Sequence, residues 1–172
     1  MTRQSRGSIE RTTVATGLTY SDLVAAFERE VGGWDPATPA KLVARRATWS
    51  EVKGEVERAA GPHGLMILGH ADQGALLSLS GPAIRGSLYL VGNPLIAMEI
   101  LRIDVRASLY VPFRVCLYDD GDPGGASISF DRPSSFLATL ERAELADFGK
   151  LLDEKIDAVV AAVTRRGAFV PS

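Results

Sequence analysis

The sequence predicts an α+β domain: a mostly antiparallel sheet, interrupted by one helix, with helices packed on one face. Three observations predict it. Leu145, Phe148, Leu152, Ile156, Val159 and Val163 step by three and four, the apolar stripe of a long helix over about 143–165. Residues 107–118 and 126–131 alternate apolar and polar, as half-buried strands do. Between them and the preceding strand stands Gly92-Asn93-Pro94, in which Asn suits an N-cap and Pro the first helical position.

The elements follow in order. Residues 1–11 are polar and basic and are expected to form a flexible tail. Residues 12–47 are expected to be an N-terminal helical extension, with a short strand over 12–17. Thr19 before Tyr20-Ser21-Asp22 is a capping signal, and Leu23, Val24, Phe27 and Val31 continue it as a helix over 20–31 that Gly32-Gly33 stops. The following WDPATPA reads as loop. Thr48-Trp49-Ser50-Glu51 is a capping box, Val52, Val56 and Ala59 make one stripe, and Gly61-Pro62 ends that helix.

The single α+β domain is expected to span 48–165, with 166–172 as a second tail. Residues 65–70 and 75–80, joined by a short loop containing Gly74, read as a β-hairpin. A strand over 87–91 leads into a helix over 94–102, with Ile96, Ile100 and Leu101 inward. In the strand read over 107–118, Ala107, Leu109, Val111, Phe113, Val115 and Leu117 share one face. Tyr110, Arg114, Cys116 and Tyr118 share the other. Pro112 in mid-strand predicts an edge position or a bulge. DDGDPGG is a turn, and Ser127, Ser129 and Asp131 alternate with Ile128 and Phe130.

With these landmarks in place, the chain resembles the domain of unknown function 302 family. Tyr89-Leu90-Val91-Gly92-Asn93-Pro94, then Leu109-Tyr110-Val111-Pro112-Phe113-Arg114-Val115, then Phe130-Asp131-Arg132-Pro133 carry the resemblance, over roughly 48–163. The resemblance implies a TATA-binding-protein-like fold, a curved sheet with helices on one side, in a bacterial-type protein that is often dimeric. It implies no catalytic residue.

Charge and composition narrow the function. A net charge of −2 leaves no basic footprint for nucleic acid. No apolar run suits a membrane span, the start lacks the apolar core of a secretory signal, and the lone Cys116 cannot form an internal disulfide. A cytoplasmic protein without membrane or nucleic-acid partners is expected. Two histidines, His63 and His70, with one cysteine give no thiolate–imidazole metal set, and no cofactor motif is present. Asp119, Asp120 and Asp122 lack the spacing and closing Glu of a calcium loop and read as a solvated turn.

What remains is the polar sheet face. Arg114 among Tyr110, Cys116, Tyr118 and Asp131 suits bidentate capture of a carboxylate or phosphate. The same pattern also suits a sheet that simply wears polar residues outside. Asn93, at a helix N-terminus after a strand, is a second anion-binding candidate and equally an ordinary cap. The leading expectation is a domain that binds a small anionic molecule or acts as a regulatory homodimer. The alternative is a metal-independent isomerase, lyase or hydrolase in which Arg114 holds the anion and Asp131 or His70 moves a proton.

Overall fold

The computed structural model describes residues 7–81 and 85–167. Among these, five strands form one open antiparallel sheet in the order β1-β5-β4-β3-β2. The strands are β1 (Arg11–Ala15), β2 (Met66–Asp72), β3 (Arg85–Gly92), β4 (Phe113–Asp119) and β5 (Ser127–Asp131). Helices α1 (Tyr20–Val31), α2 (Thr38–Ala44) and α3 (Trp49–Ala59) precede β2, and the short α4 (Gly74–Leu77) follows it. Helix α5 (Pro94–Ile103) links β3 to β4, and α6 (Pro133–Ala138) and α7 (Ala146–Gly167) close the chain.

Local signals set the helix starts. The Thr19 hydroxyl accepts from the Asp22 N–H, and the full capping box forms at Thr48 and Glu51. The Asn93 carboxamide oxygen accepts from the N–H groups of Leu95 and Ile96, ahead of Pro94. Each such cap supplies acceptors for helix-start donors and is worth about 1 kcal/mol.

The core lies on one face of the sheet. Phe113, Val115, Leu117, Ile128, Phe130, Tyr89 and Val91 face Leu23, Phe27 and Val31 of α1 and Leu152, Ile156, Val159 and Val163 of α7. Helix α1 thus contributes to this core, and Val14 of β1 packs against it. β1 pairs in register with β5, from Arg11↔Asp131 to Ala15↔Ser127. The expected tail ends sooner than its boundary at 11, since Arg11 is in β1 and the Glu10 carbonyl accepts from the Arg132 N–H. Residues 1–6 and 168–172 of the two expected tails lie outside the described residues.

Three expectations are corrected. Residues 65–80 are not a hairpin: β2 pairs with β3, from Met66↔Gly92 to Asp72↔Ser87, while 74–77 are helical and 78–80 a turn. The Asp72 carboxylate accepts from the Ala75 N–H, a local bond that turns the chain off the sheet. The strand expected over 107–118 starts only at Phe113, and residues 105–109 form a 3₁₀ turn headed by the Asp104 carboxylate, which accepts from the Arg106 N–H. Pro112 thus precedes β4 and needs neither edge nor bulge. β4 itself is interior, between β3 and β5. Finally, α2 and α6 occupy stretches in which the sequence reading placed no helix. Both are short, begin with Pro in the first turn and lack a side-chain cap, so the usual start signals are missing.

Candidate functional site: the open sheet face

Period-two alternation sends every second side chain of the sheet away from the helices. Cross-strand register sorts these into rows. Arg11, Asp131, Arg114 and Leu90 form one row, and Thr13, Ser129, Cys116 and Leu88 the next. Beyond it lie Ala15, Ser127, Tyr118 and Gly86. Arg114 is exposed, Cys116 and Tyr118 are half-buried, and Ser127 is buried.

The first row carries the electrostatics of the face. Arg11 Nε donates to Asp131 Oδ1 at 2.8 Å, an ion pair of a 68% exposed arginine side chain with a 17% exposed aspartate. Among the described residues Arg114 makes no hydrogen bond or ion pair. Its guanidinium keeps its donors for solvent or a ligand. In the second row the Thr13 and Ser129 hydroxyls bond each other at 2.9 Å. Burial pushes the Cys116 thiol above the ordinary range.

Two concavities meet at Arg114 and Asp131. One, of about 430 Å³, runs over Cys116, Tyr118 and Ser129. The other, of about 350 Å³, lies at the end of the sheet where the chain enters β4. Its walls include Leu90, Leu109, Tyr110, Pro112 and Phe136.

The structure places the expected site residues unequally. Arg114, Cys116, Tyr118 and Asp131 share the open face. Tyr110 does not stand on the strand with them, because the 3₁₀ turn displaces it. It nevertheless lines the 350 Å³ pocket beside Arg114. Its ring stacks on Phe136 at 5.2 Å, and its hydroxyl bonds Thr139 Oγ1 at 2.9 Å. Asn93 is apart from this group. Its oxygen caps α5 and its amide donates to the Gly64 carbonyl at 2.9 Å, so the side chain is spent on structure.

His70 lies on the other face from Arg114. It pairs with Tyr89, stacks on that buried ring at 4.5 Å, and contacts Ser87 Oγ through Nε2 at 3.2 Å. It therefore cannot act together with Arg114 on one substrate. His63 Nε2 meets Glu30 Oε2 at 3.1 Å beside the end of α1. The Tyr89 hydroxyl donates to Glu28 at 3.0 Å, and burial with that contact raises its pKa well above the usual tyrosine range. Among the described residues no group of three or more His, Cys, Asp or Glu is placed to hold a metal ion. Nor is any helix among them long and apolar enough to cross a membrane.

Sequence reasoning missed Arg11, Leu90, Leu109 and Phe136. Leu90 was legible, since it alternates with Tyr89 and Val91. Arg11 was not, because its partner Asp131 is 120 residues away.

An α+β domain with a helix-covered face and an open, polar face is the class of protein that fold and site define. The chain belongs to the family described as domain of unknown function DUF302, whose model matches residues 41–163. The crystal structure of an uncharacterized conserved DUF302 protein from Bacillus stearothermophilus is similar, with a TM-score of 0.62 and 12% identity. The likeness covers 89% of this chain and 97% of that one, and at this identity it shows the fold. No curated protein matches.

Proposed function

We propose that the protein binds a small anionic molecule on the open sheet face, with Arg114 as the anchor. The observation that carries this reading is an arginine that has no partner among the described residues and stands beside a pocket. The nearby carboxylate of Asp131 is already held by Arg11. A guanidinium presents a planar fork of donors that matches a carboxylate or phosphate bidentately. Among the described residues no acid–base pair converges on Arg114, since His70 is on the opposite face and Asp131 is engaged, and this favours binding over catalysis. Thermal shift with acetate, oxalate and inorganic phosphate tests it. Stabilisation of the wild type by at least one of these, absent in Arg114→Met, supports the reading. Identical responses from both proteins overturn it.

A second reading follows from a different observation. Leu109, which lines the 350 Å³ pocket, is 80% exposed, and Leu90 beside it is 36% exposed. Exposed apolar groups of this size favour a second copy of the chain as a cover, which would make a homodimer. Sedimentation equilibrium decides it: a strict monomer at high concentration removes the dimer.

A further inference from the structure

The pocket beside Arg114 has a chemistry of its own, and it narrows the class of ligand. Polar groups line it, but most are committed. The Tyr110 hydroxyl is bonded to Thr139, the Ser108 hydroxyl donates to the Val105 carbonyl at 2.8 Å, and Asp131 accepts from Arg11. Among the described residues that line it, Arg114 is the one whose charged donors no bond engages. The remaining walls include Leu90, Leu109, Pro112 and Phe136, and Leu90 and Leu109 are 36% and 80% exposed. The space, about 350 Å³, is at the lower end of the size of small-molecule sites.

Resting on the anion-binding reading above, we infer that the ligand is a monoanionic carboxylate with an apolar tail of several carbons. Its headgroup is held by Arg114 and its tail lies against Leu90, Leu109, Pro112 and Phe136. Three arguments favour this over a bare phosphate. A single guanidinium fork satisfies the two oxygens of a carboxylate, whereas a phosphate brings three strong acceptors and needs further donors. Asp131 lines the same pocket, and its negative charge opposes a dianion more than a monoanion. A bare anion would leave the apolar walls in water, while a hydrocarbon tail covers them.

Calorimetric titration with straight-chain carboxylates from acetate to octanoate tests the inference, with inorganic phosphate and octan-1-ol as controls. Burying each methylene is expected to tighten binding by roughly fourfold until the pocket is filled. Octanoate should bind more tightly than phosphate, and Arg114→Met should weaken octanoate to the level of octanol. Leu109→Ser, at an exposed position that the fold tolerates, should flatten the dependence on chain length. If acetate binds as well as octanoate, or phosphate binds more tightly, and both are lost in Arg114→Met, the tailed-carboxylate inference fails while the anion site stands. If no anion gives a signal sensitive to Arg114→Met, or octanol binds as well as octanoate, both fail.

Discussion

Asp131 is held by Arg11 across the β1–β5 pair, at 2.8 Å, and not by Arg114 in the same row of the sheet. That choice leaves one arginine paired with the carboxylate and the other facing an open pocket. It also separates two effects that a single Arg–Asp pair would have fused.

Replacing Arg114 by Met should leave stability within about 0.5 kcal/mol of wild type, because the side chain removed is exposed and has no bond to the described residues. Urea denaturation measures this. A loss of several kcal/mol would reveal a buried partner for the guanidinium.

Replacing Asp131 by Asn breaks the pair with Arg11. Because Arg11 is largely exposed, the cost should be small and shrink in high salt. Removal of the pocket's negative charge should strengthen octanoate binding severalfold at low ionic strength. Weaker binding would mean that Asp131 positions the ligand or Arg114.

Cys116 is half-buried on the same face, and its thiol is pushed above the ordinary range by burial. Its alkylation by iodoacetamide at pH 8 should be slower than that of free cysteine, and faster as pH rises. A rate at or above that of free cysteine would show a stabilised thiolate.

Gly61 closes the junction between the ends of α1 and α3. A Cβ there would stand 2.5 Å from the Glu30 carbonyl oxygen and 2.6 Å from the Val31 carbonyl carbon. Both are backbone atoms and cannot swing aside. Gly61→Ala should cost about 2 kcal/mol or more, read from the urea midpoint. Gly54→Ala meets nothing within 4 Å and should stabilise α3 by up to about 1 kcal/mol. Equal effects at the two positions would contradict this packing.

Glu51 is held at about 2, against 4.5 ordinarily. The causes are the Thr48 N–H, then the Arg45 guanidinium, then the Thr48 hydroxyl. The folded state therefore binds the Glu51 proton less readily than the unfolded chain. Its contribution is present above pH 4.5 and is lost as pH falls toward 2. The melting temperature of wild type should converge on that of Glu51→Gln across this range. A constant gap down to pH 2 would contradict the pairing.

The amino-acid sequence by itself determined the features that are short-range. The Thr19, Thr48 and Asn93 caps bond groups two or three residues away, so a few side chains specify them. The stripe along α7 and the alternation of 113–118 survive folding because one face of each is buried throughout. Arg114, Cys116 and Tyr118 were legible as a face for that reason.

Tertiary structure decided what depends on distant partners. Apolar alternation from 107 to 112 resembled a strand, yet strand formation needs neighbours for its backbone, and those residues instead close a 3₁₀ turn on Asp104. Residues 65–80 had hairpin spacing, but β2 is paired by β3 and the second half turns away. Arg11 sits in a polar stretch with no mark of function. Only the β1–β5 register brings it to Asp131 across 120 residues, and that long-range pairing, invisible in local pattern, is what leaves Arg114 open to a ligand.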